Sequence, residues 1–309
     1  MPGSLSPCFL CPRECGAHRS EGEKGICGGG DRIKVARLAL HVWEEPCISG
    51  TRGSGTVFFS GCNLRCVYCQ NAKISWEGFG TEMTPAELAA GMLRLEEAGA
   101  HNINLVTAAP YVPLVVEALD IARTQGLRLP VVYNTSAYEK VETLRLLLGC
   151  VDVYLPDLKY ASEETARRLS GAPDYFTVAT AAIQEMLHQV GGEPVFDSEG
   201  LMQRGLIVRH LVLPGHLPET YQVLAWIKDH LPRSVPLSLM AQYLPYHLAR
   251  RFPPLNRRLT EDEYNLAVAA FFDLGLENGW AQELSAADGD FIPPFDLTGC
   301  AGKTSSSGE

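Results

Sequence analysis

From residue 56 onward, short apolar runs rich in β-branched and aromatic residues alternate with longer amphipathic stretches, and this unit recurs six times. The predicted strands are TVFFS (56–60), INLVT (103–107), PVVYN (130–134), VDVYLPD (151–157), LIVRHLVLP (206–214) and PLSLM (236–240). Helices are predicted near 84–99, 111–125, 138–148, 218–231 and 260–275, with two more between the fourth and fifth strands. Continuous apolar strands separated by helices indicate a parallel sheet that helices cover on its outer face. Six units are too few for a closed eightfold barrel, so we predict an α/β fold, a partial (β/α)6 TIM-like barrel.

Around this barrel we predict a Cys-rich N-terminal extension at 1–50, the barrel itself at 51–285 and a C-terminal tail at 286–309. The stretch at 298–309 is small and polar, and is predicted to be disordered. The Gly-rich, polar segment 191–205 predicts a long loop ahead of the fifth strand.

Composition and charge exclude several classes of protein. The 309 residues are 46% hydrophobic and 20% charged, which is typical of a globular protein. A net charge of -10 argues against general nucleic-acid binding, which needs a basic surface. The apolar runs are far shorter than the roughly 18 residues that cross a bilayer, and no basic-then-apolar leader is seen. We therefore expect a cytoplasmic protein with no nucleic-acid partner and no membrane segment.

The ten cysteines are clustered in a way that favours metal ligation over disulfides. Cys62, Cys66 and Cys69 form a C-x3-C-x2-C array directly after the first strand. Thiolates at this spacing can close on one compact cluster, and three of them leave one iron of a four-iron cluster free for a small molecule. The alternatives are a zinc site completed by Cys47 or a histidine, and three unrelated buried thiols.

The segment GCNLRCVYCQN resembles the signature loop of the radical S-adenosylmethionine (SAM) superfamily, whose pattern is C-x3-C-x-aromatic-C. The resemblance implies a 4Fe-4S cluster on the three cysteines, with SAM chelating the fourth iron. One electron then splits the cofactor into methionine and a 5′-deoxyadenosyl radical that abstracts hydrogen from a substrate. The resemblance also implies that Tyr68 lies near the adenine; the alternative is a tyrosine simply packed in the loop.

Polar residues follow the predicted strands, where the side chains of a barrel converge on one mouth. They are Thr107, Asn134, Thr135, Ser136, Asp157, Lys159 and Gln242. In the fifth strand, Arg209 and His210 interrupt an apolar run. Since neighbours on a strand face opposite sides, we predict that Arg209 lines the barrel and that His210 is a core histidine. A buried Arg209 or Lys159 could bind the carboxylate of an amino-acid-like ligand, or form a structural salt bridge such as Asp157 with Arg209.

Residues 8 to 280 are further similar to the pyruvate formate-lyase activating enzyme group. VDVYLPDLKY resembles the Asp-x-Lys motif by which those enzymes contact the cofactor, which implies this role for Asp157 and Lys159. GLIVRHLVLPG resembles their fifth-strand segment and implies a cofactor contact for Arg209. Where these enzymes carry Gly-Gly-Glu, this chain has TAAP at 107–110, so backbone carbonyls near Thr107 are expected to bind the methionyl amine.

The resemblance implies a low-potential electron donor such as flavodoxin or ferredoxin, and a protein substrate of the glycyl-radical kind or a small substrate. Asn134 is expected to help shape the cofactor pocket. A non-enzymatic iron-sulfur or zinc-binding protein is the alternative, and the residue that performs catalysis is not identified.

The remaining cysteines and acidic pairs receive simpler interpretations. Cys8, Cys11, Cys15 and Cys27 form C-x2-C-x3-C-x11-C and predict a second metal site, either zinc or iron-sulfur. Cys47 has no assigned role, Cys150 is expected in the core, and Cys300 is expected to have no structural role. The pairs Glu44–Glu45 and Glu96–Glu97 are expected on solvated faces, and His101 on the surface.

Overall fold

The computed structural model describes residues 5–284 and 292–300. In chain order, its strands are β1 (Ile33–His41), β2 (Ser54–Phe59), β3 (Thr81–Met83), β4 (Ile103–Val106), β5 (Val131–Thr135), β6 (Val153–Pro156), β7 (Val195–Phe196), β8 (Met202–Leu206), β9 (Val208–Leu211), β10 (Leu237–Met240) and β11 (Gly279–Ala281). Its helices are α1 (Pro46–Ser49), α2 (Ala72–Ser75), α3 (Pro85–Glu97), α4 (Val112–Thr124), α5 (Val141–Leu144), α6 (Glu163–Ser170), α7 (Tyr175–Val190), α8 (Leu217–His230) and α9 (Glu261–Asp273).

The central sheet is mostly parallel and continues into a second, smaller sheet. Strands β2, β4, β5, β6 and β8 run parallel in that spatial order, and β1, β3 and β7 add antiparallel edges. Strands β9, β10 and β11 form the second parallel sheet. The chain passes from one sheet to the other at Ile207, and a bridge between Asp157 and Arg209 joins the two sheets just beyond this point. The predicted partial TIM-like barrel with a Cys-rich N-terminus is confirmed.

Helix α3 illustrates how local sequence sets the helical layer. Thr84 and Glu87 form a reciprocal capping box, and Pro85 occupies the first turn, where its missing N–H costs nothing. Buried Leu88, Met92 and Leu95 then recur on one face of the helix. This face packs on the outer side of the sheet, so the strands can direct alternate side chains inward.

The N-terminal segment is docked on the loop that follows β2. The N–H of Cys62 donates to the carbonyl of Cys27 at 3.1 Å, and Arg13 Nε donates to the carbonyl of Asn63 at 2.8 Å. Gly61 has φ +89°, and a Cβ placed there would lie 2.5 Å from the Cys27 oxygen. The two cysteine-bearing segments therefore meet backbone to backbone.

Several expectations from the sequence are wrong. Part of segment 191–205 forms an antiparallel pair, because β8 begins at Met202 and pairs with β7. Residues 298–300 are ordered, since the carbonyl of Thr298 accepts from Leu38 on β1 and the buried Cys300 thiol lies 3.7 Å from the carbonyl of Val35; the rest of that stretch, 301–309, lies outside the described residues.

The positions of three single residues can also be compared with the sequence analysis. His101 is buried and accepts the backbone N–H of Arg52 at 3.1 Å, which corrects the surface prediction. Cys150 is buried in the core as predicted, and Cys47 packs with Ile48 in a separate apolar cluster.

Across residues 5–284 and 292–300, the helices are too short or too polar to traverse a bilayer.

Candidate active site

A cavity opens where the barrel strands end, and it gathers residues from distant parts of the chain. Its lining includes Cys62, Cys66, Cys69, Tyr68, Thr107, Asn134, Asp157, Lys159, Arg209 and Gln242. The loop after β2 brings the three thiols, and the ends of β4, β5, β6, β9 and β10 bring the polar groups. The convergence predicted from the barrel rhythm is thus seen in the structure.

Each of the three thiols is hydrogen-bonded to another group of the protein. Ser170 Oγ donates to Cys66 Sγ at 2.9 Å, and the N–H of Leu64 donates to Cys62 Sγ at 3.4 Å. The hydroxyl of Ser75 lies 3.1 Å from Cys69 Sγ. Burial raises the pKa of Cys62 to about 12 and that of Cys69 to about 11, and the neighbouring Cys66 adds to both shifts. Such thiols stay protonated on their own, and metal binding is what deprotonates them.

These residues fit a polynuclear cluster better than a single ion. Within residues 5–284 and 292–300, histidine, cysteine, aspartate and glutamate side chains form no group of three that could bind one metal ion. A zinc ion would need its sulfurs within about 4 Å of one another. A cluster places several metal atoms between its thiolates, and donors to the sulfurs are typical of such sites.

Tyr68 is buried and belongs to a hydroxyl chain that ends at a thiol. Its hydroxyl lies 2.5 Å from that of Tyr160, which lies 2.8 Å from Ser170 Oγ. Sequence reasoning gave no role to Tyr160 or Ser170, because Tyr160 follows the Asp-x-Lys residues without being part of that pattern and Ser170 is the last residue of α6. The role of Tyr68 beside the adenine stays a prediction.

Asp157 is the centre of a charged network on the cavity wall. Its carboxylate accepts from Lys159 Nζ at 2.6 Å and from Arg209 Nε at 2.7 Å. Burial opposes the charge of Asp157, but the Arg209 and Lys159 cations outweigh it and lower the pKa of the carboxyl. Tyr175 on α7 fixes this turn, since its hydroxyl accepts from the N–H of Lys159 and donates to the carbonyl of Asp157 at 2.7 Å.

Strand alternation separates the two polar residues of β9 as predicted. Arg209 lines the cavity and also donates to Asn134 Oδ1 at 2.7 Å. His210 faces the opposite side, where it is buried between the carbonyl of Leu158 and the hydroxyl of Thr220.

Glu44 is the cavity residue that the sequence interpretation placed wrongly. Its side chain is only 8% exposed, and it faces Arg209 Nη1 at 3.4 Å and Asn134 Nδ2 at 3.3 Å. Burial raises its pKa to about 7, although Arg209 acts in the opposite direction. Glu45 is buried too and accepts from Ser238 at 3.0 Å. The signal that could have found them is their position between the apolar strand β1 and the buried helix α1.

The end of β4 has an unusual backbone. Thr107 has φ +63°, which is a costly conformation for a β-branched residue, while its N–H donates to the carbonyl of Asn134 at 2.9 Å. The TAAP segment therefore turns sharply at the cavity, where its carbonyl groups were predicted to bind a ligand.

Arg19 is a buried cation close to three of the four N-terminal cysteines, Cys8, Cys15 and Cys27. Arg19 is 1% exposed, donates to Cys27 Sγ at 3.3 Å and to the carbonyl of Pro110 at 2.6 Å, and its Nε has no hydrogen-bond partner among the described residues. Arg19 also lies in electrostatic reach of Cys8 and Cys15. A guanidinium buried in this way needs nearby negative charge.

Comparison with known proteins points to one family. Residues 56–220, more than half of the chain, match the family model described as the Radical SAM superfamily. An uncharacterized protein of Methanocaldococcus jannaschii is 33% identical over 272 residues, which cover 84% of this chain and 73% of the relative. A second uncharacterized protein of that organism is 26% identical over 284 residues, which cover 84% of this chain and 77% of that relative.

Two solved structures of Streptococcus suis SuiB are also similar. SuiB bound to the precursor peptide SuiA aligns with a TM-score of 0.48 and 11% identity, over 72% of this chain and 46% of SuiB. SuiB bound to S-adenosylmethionine aligns with a TM-score of 0.45 and 11% identity, over 73% and 49% of the two chains. This chain therefore spans about half the length of these SuiB chains.

Proposed function

The chain belongs to the radical SAM superfamily, and on that premise we propose that it is an oxidoreductase that cleaves SAM reductively and abstracts hydrogen from a protein or small substrate. The single observation that supports this most is the meeting of three signature thiols with the Asp157, Lys159 and Arg209 network around one cavity. Membership of the superfamily implies a 4Fe-4S cluster and SAM.

The protein's own groups have distinct tasks in this proposal. Cys62, Cys66 and Cys69 would hold the cluster, which with SAM supplies the one-electron chemistry. Lys159 carries a positive charge within electrostatic reach of all three thiols, so it offsets their negative charge. Asp157 orients Lys159 and Arg209 through short charge-assisted hydrogen bonds, which leaves these cations positioned for the cofactor's carboxylate.

The substrate class proposed is that of an activating enzyme, which acts on a protein backbone. This substrate class is supported by two segments that resemble those of activating enzymes: the Asp-x-Lys segment at 157–159 and the strand that contains Arg209. The TAAP segment at 107–110 stands where those enzymes have Gly-Gly-Glu, and this difference indicates that the chain is only distantly related to them. We also propose a cytoplasmic location and a low-potential donor such as flavodoxin or ferredoxin.

We propose a second metal site at Cys8, Cys11, Cys15 and Cys27. The buried Arg19 supports it, because a tetrathiolate metal centre is anionic and would balance the guanidinium. Four thiolates can bind either a zinc ion or an iron-sulfur cluster, and metal analysis distinguishes the two. Iron and zinc counts per chain should fall in Cys11→Ser and stay constant in Cys150→Ser; unchanged metal in Cys11→Ser contradicts the site.

Cleavage of SAM tests the main proposal. Reconstituted protein, dithionite and SAM, mixed without oxygen, should yield 5′-deoxyadenosine. Cys66→Ala should abolish the product because the cluster loses a ligand, while Cys150→Ala, which removes a core thiol elsewhere, should retain it. Equal product from wild type and Cys66→Ala would leave the non-enzymatic alternative standing.

A further inference from the structure

Arg19 connects the N-terminal cysteines to the barrel through its two terminal nitrogens. Nη2 donates to Cys27 Sγ at 3.3 Å, and Nη1 donates to the carbonyl of Pro110 at 2.6 Å. The side chain is 1% exposed, and its Nε has no hydrogen-bond partner within residues 5–284 and 292–300. The hydrogen bonds of this guanidinium therefore join a sulfur of the N-terminal segment to a carbonyl of the barrel.

Pro110 is the last residue of the TAAP segment, and the first residue of that segment lines the cavity. Thr107 is part of the cavity wall, and its N–H donates to the carbonyl of Asn134 at 2.9 Å. The N–H of Tyr111 donates to the carbonyl of Ala108 at 2.8 Å, which closes a turn around Pro110. Because this turn is short and hydrogen-bonded, a displacement of Pro110 should also move the carbonyl groups near Thr107 that were expected to bind the methionyl amine.

Two thiols of the proposed N-terminal metal site lie against the same guanidinium. A Cβ placed on Gly25 would lie 3.3 Å from Arg19 Nη2. The same Cβ would lie 3.4 Å from the sulfurs of both Cys15 and Cys27. Thiols that bind a metal become anionic thiolates, and a guanidinium donates a stronger hydrogen bond to an anion than to a neutral group. A metal at these cysteines should therefore hold Arg19 more firmly than neutral thiols do.

We propose that Arg19 is a positioning residue that makes SAM binding depend on metal at the N-terminal cysteines. With metal bound, Cys27 holds the guanidinium, and the guanidinium holds the Pro110 carbonyl and thereby the TAAP segment. Without metal, the bond to Cys27 weakens and the segment loses support from outside the cavity. Such coupling is reciprocal, so SAM should also raise the metal affinity of the N-terminal site. This inference rests on the proposed function, from which it takes both the cofactor pocket and the second metal site.

Two neighbouring glycines test the contact with little change elsewhere. A Cβ on Gly29 would lie 3.1 Å from Arg19 Nη1 and 3.3 Å from Pro110 Cβ, so Gly29→Ala should push the guanidinium away from the carbonyl. A Cβ on Gly30 would have no neighbouring atom within 4 Å, so Gly30→Ala is the matched control. In reconstituted full-length protein, equilibrium dialysis should give a SAM dissociation constant at least about fivefold higher for Gly29→Ala than for Gly30→Ala. Arg19→Gln, whose amide is too short to reach both partners, should weaken SAM binding at least as much.

Dependence on metal distinguishes this coupling from a merely structural contact. Cys11→Ser, which should empty the N-terminal site, should weaken SAM binding in wild type but should add little to the loss in Arg19→Gln, because the coupling residue is already absent there. Iron and zinc counts on the same samples report whether the site is empty.

Three results would overturn the inference while the proposed function stands. They are equal SAM constants for Gly29→Ala and Gly30→Ala, loss of metal in Cys11→Ser without weaker SAM binding, and fully additive losses in the double variant of Cys11→Ser and Arg19→Gln. If Arg19→Gln does not fold, the glycine pair decides. Failure of wild type to bind SAM or to form 5′-deoxyadenosine would refute the proposed function, and this inference with it.

Discussion

The hydroxyl of Ser170 has one proton, and it is directed at the sulfur of Cys66. Ser170 must then accept from Tyr160, and Tyr160 must accept from Tyr68, so the three hydroxyl groups point in one direction toward the thiol. Such a chain polarises its members and strengthens the final hydrogen bond. A donor to a cluster sulfur stabilises the more negative, reduced state.

Ser170→Ala should therefore lower the reduction potential of the 4Fe-4S cluster that we propose at Cys62, Cys66 and Cys69. Tyr68→Phe removes a hydroxyl two steps away and should lower it less. Redox titration followed by electron paramagnetic resonance measures both shifts. If both variants had the same reduction potential as wild type, the chain of three hydroxyl groups would have no electrostatic effect on the cluster.

Glu44 shows what a local pattern cannot predict about a single residue. Adjacent glutamates are usually solvated, and nothing within a few positions of Glu44 indicates a charged partner. Its partners Asn134 and Arg209 are 90 and 165 positions away. The thiols, by contrast, were predicted because their chemistry depends on local spacing.

Strand β9 is an element whose two faces were predicted correctly from alternation. On the core face, the carbonyl of Leu158 can only accept, so His210 Nδ1 carries the proton and Nε2 accepts from Thr220. Burial lowers the pKa of His210 to about 4. The histidine is therefore neutral in the folded protein over most of the accessible pH range.

Acid should destabilise the protein through His210. The folded pKa lies below the usual value of about 6.5, so the unfolded chain binds more protons, and stability falls as the pH drops from about 6.5 to about 4. His210→Asn keeps a donor but cannot titrate. We expect it to be about 1–3 kcal/mol less stable at neutral pH and to lose less stability on acidification.

Urea unfolding at pH 7, 6 and 5 measures this difference. His230→Asn is the control, because that histidine lies on the exposed end of α8. Parallel stability curves for wild type and His210→Asn would contradict the assignment.

The hairpin of β7 and β8 was missed for a physical reason. The carboxylate of Asp197 accepts the N–H groups of Glu199 and Leu201, which closes a turn inside a stretch that is polar and Gly-rich. Composition alone describes such a stretch as a loop. The strands form because β8 pairs with β6, which is a contact between distant residues.

At the scale of the whole molecule, the N-terminal segment, residues 5–30, packs against the barrel at Gly61. Gly61→Ala should destabilise the protein, since an Ala at φ +89° costs about 1–2 kcal/mol and its Cβ also collides with the carbonyl of Cys27. Gly99→Ala has the same φ of +89° but only a side-chain carbon of Arg52 at 3.9 Å, so it isolates the backbone cost.

Melting temperature and proteolysis of the front segment report the comparison. Gly61→Ala should melt lower than Gly99→Ala and should be cleaved faster before residue 30. Equal behaviour of the two variants would mean that the contact between the segments contributes little.

The barrel was predictable because each strand-helix unit is encoded locally. The docking of the front segment and the return of residues 292–300 to β1 were not, because both depend on contacts between chain ends and the barrel. Phe295 packs its ring on Phe58 with centroids 5.5 Å apart, although 237 positions separate them. No periodicity in the tail indicates that contact.

The hydrogen bond from the N–H of Cys62 to the carbonyl of Cys27 has a consequence for the design of N-terminal truncations. A shortened version that starts at the first barrel strand would remove the carbonyl that accepts the N–H of Cys62, and would also remove the Arg13 side chain that donates to the carbonyl of Asn63. We expect such a truncation to displace the turn that contains the three signature cysteines, so the first thirty residues would support the proposed iron-sulfur site from outside the barrel.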